Sequence, residues 1–230
     1  MIYNNNIVIA EFIKRPNRFV AYVKINDKEE IVHVPNTGRC REILTVGSTV
    51  VLSEGKNKDR KTKYDLIAGY KDNMLINIDS QVPNAVVEEA LKNKKIKALI
   101  KYPIIQREKS FGNSRFDFKL SNNAGEEYYL EVKGVTLENA GHCMFPDAPT
   151  ERGKKHLLEL VEVFKTGRRA GVMFLIQLKG AKTFSPHKDM DKDFAEALEF
   201  ARENGVDVMS YDCNVEENSI ELNKKVKVIL

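Results

Sequence analysis

Apolar and polar positions follow two rhythms along this chain. From Ile7 to Ser80, short runs rich in β-branched and aromatic residues are separated by turn-forming residues: IVIAEFIKR, RFVAYVKIN, EEIVHVP, STVVLSEG, YDLIAGY and NMLINID. Such runs predict six short β-strands. One stretch breaks the pattern: in PNTGRCREIL (Pro35 to Leu44), Asn36 or Thr37 is placed to cap a short helix between the third and fourth strands. A small antiparallel barrel with a helix after strand three is the OB-fold arrangement, which commonly binds oligonucleotides on one face. Residues 1–82 are therefore expected to form an OB-fold-like nucleic-acid-binding domain.

After QVPN (Gln81 to Asn84) the rhythm changes. AVVEEALKNKKI has apolar residues at helical spacing, and strand-like runs then alternate with helix-like ones. The expected order is helix 85–95, strands 98–106, 115–120 and 128–135, helix 150–165, strand 170–178, helix 191–203 and strand 206–212. Helix TERGKKHLLELVEVFKTG leads into AGVMFLIQL, an almost unbroken apolar run suited to a strand buried on both faces. Residues 83–230 are thus expected to form an α/β domain with a mixed sheet, so the chain as a whole reads as a two-domain, mixed α+β protein. The boundary falls near Pro83.

Charged residues interrupt two of these strands. In FDFKL, Phe116, Phe118 and Leu120 are expected to share one face, leaving Arg115, Asp117 and Lys119 on the other. In YYLEVKGV, Tyr128, Leu130 and Val132 oppose Tyr129, Glu131 and Lys133. If the turn pairs Leu120 with Tyr128, the antiparallel register sets Asp117 across from Glu131. Like charges in that position repel, so a cation between them would explain the pair. Two carboxylates suit Mg²⁺ or Mn²⁺, which keep other positions for water and a substrate phosphate. Lys133 on the same face could steady the attacking water or the phosphate charge. Glu88 or Glu89 on the preceding helix could add a further metal oxygen. The competing expectation is that these are ordinary solvated charges, since Asp, Glu and Lys are common on surfaces.

Further polar residues suit phosphate binding. In FPDAPTERGKKHLLEL, Thr150 is a good N-cap, and Leu157, Leu160, Val161 and Phe164 make a buried stripe. Arg152, Lys155 and His156 are then expected on or beside the opposite flank, where a helix start can take phosphate. In the first domain, Asn36, Thr37, Arg39 and Arg41 could present amides and guanidinium groups to a nucleic-acid backbone. Lys plus Arg number 37 against 33 for Asp plus Glu, a net charge of +4 that permits a polyanionic partner without requiring one. The three cysteines are widely spaced with no CxxC pair, no apolar run reaches membrane-spanning length, and the first residues lack a signal-peptide pattern. A reducing cytoplasm and no membrane partner are expected.

The segments HVPNTGRCREIL, GNSRFDFKL, YYLEVKGVTL, MFPDAPTERGKKHLLEL and FSPHKDMDKDFAEAL together resemble, in order and over nearly the whole chain, the sugar fermentation stimulation protein A family of bacteria and archaea. The resemblance implies an N-terminal OB-fold, a C-terminal PD-(D/E)XK nuclease-like domain, DNA binding and a link to regulation of sugar (maltose) metabolism. By position, Asp117 matches the motif aspartate, Glu131 and Lys133 the ExK pair, and Thr150 to His156 the TERG-x-KH run. Pro149 and Cys40 stand where a β-branched residue and a methionine are expected. Two functions follow from different classes. One is a Mg²⁺- or Mn²⁺-dependent nuclease acting on single-stranded or duplex DNA, with catalysis by Asp117, Glu131 and Lys133. The other is a non-catalytic DNA-binding regulator; RNA is the weaker nucleic-acid partner, and no helix-turn-helix signature is present.

Overall fold

The computed structural model of the chain describes residues 1–55, 57 and 60–230. The first unit contains strands β1 (Ile7–Asn17), β2 (Val20–Ile25), β3 (Lys28–His33), β4 (Thr49–Glu54), β5 (Tyr64–Lys71) and β6 (Met74–Asn77). They lie in the order β3-β2-β1-β4-β5-β6, and a parallel bridge from His33 on β3 to Asp65 on β5 closes the first five into an OB-like barrel. The β2–β3 turn is made by Asn26 and Asp27, both with positive φ (47° and 61°), the conformation a two-residue hairpin needs and one these residues tolerate. Inward-facing Ala21, Val23, Val32, Val50, Leu52, Leu66 and Ile76 fill the barrel.

The expected helix between β3 and β4 does not form. Residues 41–43 make one hydrogen-bonded turn, with Leu44 N–H donating to Cys40 O (2.9 Å), and Cys40 has φ 46°. The physical reason is that the carbonyls of the preceding stretch are taken by a side chain from β1. Arg15 donates to the carbonyls of Asn36 (2.6 Å), Gly38 (2.8 Å) and Arg39 (3.0 Å), so they point away from any helix axis.

The second unit begins with α1 (Val82–Lys92), three residues earlier than its apolar spacing suggested, with Pro83 in the first turn where its missing N–H costs nothing. The strand expected over 98–106 is instead a single 3-10 turn, Lys97–Leu99, followed by β7 (Ile104–Phe111). Then come β8 (Ser114–Ser121), β9 (Glu127–Val135), β10 (Leu137–Asn139), β11 (His142–Phe145), α2 (Glu151–Lys165), β12 (Arg169–Ile176), β13 (Thr183–Pro186), α3 (Lys192–Glu203), β14 (Asp207–Glu216), β15 (Ser219–Lys225) and β16 (Lys227–Val228). The main sheet runs β15-β14-β12-β9-β8-β7, with β9–β12 and β12–β14 parallel and the other pairs antiparallel. This is an α/β domain with a mixed sheet. A small second sheet, β10-β11-β13-β16, was not legible as strand pattern.

Buried β12 shows why both sheet faces are apolar. Met173 and Leu175 join Val86, Val87 and Leu130 on the α1 side, while Val172, Phe174 and Ile176 join Leu157, Leu160, Phe194 and Leu198 under α2 and α3. Each such side chain contributes about 1.5–3 kcal/mol by leaving water. The two units meet through Lys71 Nζ on Glu138 Oε2 (2.7 Å), Asn77 N–H on Gln177 O (2.9 Å) and Arg39 N–H on Asp147 Oδ2 (3.1 Å). Among the described residues, no helix is long and apolar enough to cross a membrane.

Candidate active site

The hairpin between β8 and β9 pairs Leu120 with Tyr128, Lys119 with Tyr129 and Phe118 with Leu130. Backbone pairing stops there, one step short of Asp117 and Glu131. On the other edge of β8, Glu108 lies between the paired positions Arg107–Phe118 and Lys109–Phe116 and has φ 52°. The break has two consequences. Phe116 does not share a face with Phe118 and Leu120 as expected; it packs edge-on against Tyr129 and His156, on the α2 side, while the other two stay in the α1-side cluster. The freed Val132 N–H is taken by the Asp117 side chain (Oδ2, 2.7 Å), and Asn84 Nδ2 of α1 donates to Asp117 Oδ1 (2.8 Å).

Glu131 faces α2. Its Oε1 accepts from Lys133 Nζ (2.6 Å) and from His156 Nδ1, whereas its Oε2 is buried with no hydrogen-bond partner among the described residues. Burial pushes the Glu131 carboxyl up, but the hydrogen bonds and charge supplied by His156 and Lys133 overcome that and hold it below the usual range. Asp117 goes the other way. Burial, then the neighbouring Glu131 charge, raise its carboxyl above the usual aspartate range despite the Val132 and Asn84 hydrogen bonds. Two carboxylates that repel one another, one with an orphaned buried oxygen, are a donor set that fits a hard divalent cation. That set holds two acidic side chains: among the described residues no group of three His, Cys, Asp or Glu side chains converges as a metal site.

Glu88 does not join this centre. It is tied to Lys92 (2.6 Å) and Arg107 (3.2 Å), partners that lower its carboxyl, and no bond connects it to Asp117 or Glu131 among the described residues. His156 is not on the outer flank of α2: it is 5% exposed and turned inward with Gly153, Leu157 and Leu160. The helical spacing of Gly153, His156, Leu157 and Leu160 already carried that signal, which the polarity of the imidazole obscured. Thr150 caps α2 through Gly153 N–H (3.0 Å), and Arg152 and Lys155 are exposed, Lys155 lying 3.8 Å from Glu159. Arg115 is exposed and 3.4 Å from Glu108.

On the barrel, Thr37, Arg39 and Arg41 are exposed. Asn36 instead serves the loop: its Oδ1 accepts from Gly38 N–H (2.6 Å) and its Nδ2 donates to Ile78 O (2.6 Å). The residues that organise both regions, Arg15, Asn84 and Asp147, escaped the sequence reading because each acts on a partner distant in the chain. Thr37 and Gly38 line one cavity with Gly134 at the C-terminal end of β9.

A family model described as the sugar fermentation stimulation protein RE domain matches residues 81–219, and one described as the SfsA N-terminal OB domain matches residues 13–78. A curated sugar fermentation stimulation protein homolog from Clostridium novyi (strain NT) is 67% identical over 226 residues, covering 98% of this chain and 99% of that one. One from Clostridium botulinum (strain Hall / ATCC 3502 / NCTC 13319 / Type A) is 66% identical over 228 residues, covering 99% of each. The solved structure of Pyrococcus furiosus SfsA in complex with Ca²⁺ superposes with a TM-score of 0.90 at 28% identity, covering 100% of both chains.

Proposed function

This chain belongs to the sugar fermentation stimulation protein family, and from that premise and the geometry of β8 and β9 we propose that it is a DNA-binding nuclease dependent on Mg²⁺ or Mn²⁺. The observation that carries the reading is the juxtaposition of Asp117, Glu131 and Lys133 at the end of the β8–β9 ladder, with one Glu131 oxygen buried and unpartnered. Asp117 and Glu131 would hold the metal, and the solved relative's Ca²⁺ complex supports a hard divalent cation. When bound, such an ion supplies charge stabilisation and a more acidic water for phosphodiester hydrolysis.

The chain's own residues do the positioning. Val132 N–H and Asn84 fix the Asp117 carboxylate from two sides. His156, locked inside α2, fixes Glu131 from behind. Lys133 keeps an ammonium beside Glu131 with 15% of its side chain exposed, so it can turn toward a water or a phosphate oxygen without leaving the site. Arg39, Arg41, Arg115, Arg152 and Lys155, all exposed, would contact DNA phosphates, which position the strand without reading its sequence.

A second reading has its own observation. Both Asp117 oxygens and one Glu131 oxygen already have donors within the protein, so the pair suits a non-catalytic DNA-binding regulator of sugar (maltose) metabolism genes as well. One experiment separates the two. Labelled single-stranded and duplex DNA are incubated with the wild type and with Asp117→Ala in Mg²⁺, Mn²⁺ and chelator. Metal-dependent cutting that disappears in the variant supports the nuclease. Binding in every lane without cutting supports the regulator, and cutting that persists in Asp117→Ala overturns the assigned site.

A further inference from the structure

A cavity of about 170 Å³ lies where the barrel loop meets the end of β9. It is well above the ~30 Å³ of one water and below the ~300–1,000 Å³ of sites for drug-sized ligands, the scale of one small heterocycle. Its mouth has the exposed side chains of Thr37 and Ser80, and its depth has Gln177, only 2% exposed. Gly134, the residue after Lys133 on β9, forms part of the wall and faces Pro83 of α1, on the sheet face opposite to Lys133.

Two glycines keep its walls close. A Cβ at Gly38 would overlap Asp147 Oδ2 and Asn36 Oδ1, and one at Gly134 would overlap Gln177 Oε1 and Pro83. The Gln177 amide is oriented by its own network: Nε2 donates to Asn77 Oδ1 (2.9 Å) and Asp79 O (3.1 Å), which turns Oε1 toward Gly134. That Oε1 accepts no hydrogen bond from the described residues. Asp147 accepts Arg39 N–H through Oδ2 and leaves Oδ1 without a donor among the described residues. An amide oxygen and a carboxylate facing one small space repel a phosphate and call for a ligand that brings N–H donors. Phe145 and Met144 supply apolar wall for a flat ring.

We infer that this cavity receives one unstacked nucleobase of the bound DNA strand, selecting bases with an exocyclic amino group through Gln177 Oε1 and Asp147, while Arg39 and Arg41 hold the strand outside. The inference rests on the DNA reading above and adds to it a base-specificity pocket at the barrel loop. Extruding a base costs stacking energy, which is least for single-stranded DNA, so single strands are the preferred substrate form.

The test is anisotropy titration of wild-type protein with labelled oligothymidylate strands that carry, at one central position, adenine, purine lacking the amino group, or thymine. It is run in chelator and again in Ca²⁺. Adenine is expected to bind about tenfold tighter than purine, because a buried acceptor left unpaired is costly. Asp147→Asn, which preserves the Arg39 contact but presents a donor, and Thr37→Trp, which blocks the mouth from an exposed position, should each reduce that preference to about twofold or less. The readout is the ratio of adenine to purine affinity within each variant, so any change in the all-thymine affinity divides out. Tight binding of all three strands with no adenine preference overturns the pocket and leaves the DNA reading standing. An adenine preference that survives both variants places the recognition elsewhere and also overturns it. Failure of every strand to bind in either condition removes the DNA reading and the pocket with it.

Discussion

The centre on β8 and β9 and the loop over residues 36–41 are built in opposite ways. In the centre, the charged groups are the organised element: Glu131 is buried, Asp117 partly so, and backbone and side-chain donors surround them. In the loop, the organiser is a single guanidinium. Arg15 gathers four backbone carbonyls, those of Arg18, Asn36, Gly38 and Arg39, and the side chains of Thr37, Arg39 and Arg41 are left in solvent. The difference teaches what each region is suited to. Groups that act on a reacting atom must be held in place, so they are buried and multiply bonded. Groups that grip a phosphate backbone need charge and reach more than fixed geometry.

The largest expected effect strikes the centre. Asp117→Ala should lower metal-dependent cleavage of labelled single-stranded DNA by about a thousandfold, or ~4 kcal/mol of barrier. Arg39→Ala should change the same rate by far less at saturating DNA. Next is His156→Ala, which leaves Glu131 buried without one of its two donors. Unfolding in urea should show a loss of about 3 kcal/mol, the scale of breaking a buried pair from one side. A variant as stable as the wild type would mean that Lys133 alone satisfies Glu131.

Arg15→Met should cost about 2 kcal/mol in the same measurement, since four carbonyls lose their donors. It should also weaken DNA binding, because the loop that presents Arg39 is no longer gathered. Equal DNA affinity in that variant would show that the loop's order does not matter for binding.

Glu138, which joins the two units through Lys71, provides a pH test. Burial raises its carboxyl, but the Lys71 ammonium and the Gly141 amide prevail and hold it below the usual glutamate range. A depressed carboxylate stabilises the fold fully above the ordinary value of ~4.3 and loses that contribution as pH falls through the lowered folded value. Melting curves from neutral to acid pH should therefore show wild type losing stability relative to Glu138→Gln across that window, and parallel curves would show that the Lys71 contact adds nothing. The smallest effect belongs to the loop's surface. Arg39→Ala and Arg41→Ala should each reduce the slope of log affinity against log salt by about one while changing stability by under ~0.5 kcal/mol.

Much of the fold was legible because periodicity reports burial directly. The six strands of the first unit, the β8–β9 hairpin with Leu120 opposite Tyr128, the Thr150 cap and the doubly buried β12 all follow from local pattern. The misses share another cause. The 35–44 segment carries helix-capping residues, yet Arg15 from β1 claims its carbonyls; Lys97–Leu99 makes a 3-10 turn where alternation suggested a strand. Strands β10, β11, β13 and β16 are two to four residues long and exist through one another. A short strand has no periodicity to read until its partner is in place.

By itself, the order of apolar and polar residues determined two units, a barrel and a mixed sheet, and set Asp117, Glu131 and Lys133 on neighbouring strands at matching positions. Only the tertiary structure decided that the ladder stops at Phe118–Leu130, that His156 turns inward onto Glu131, and that Gly38 and Gly134 meet across a cavity closed by Gln177 and Asp147. The reason is that alternation along a strand records which side chains leave water. The partner each buried polar atom finds depends on what packs against it from far along the chain.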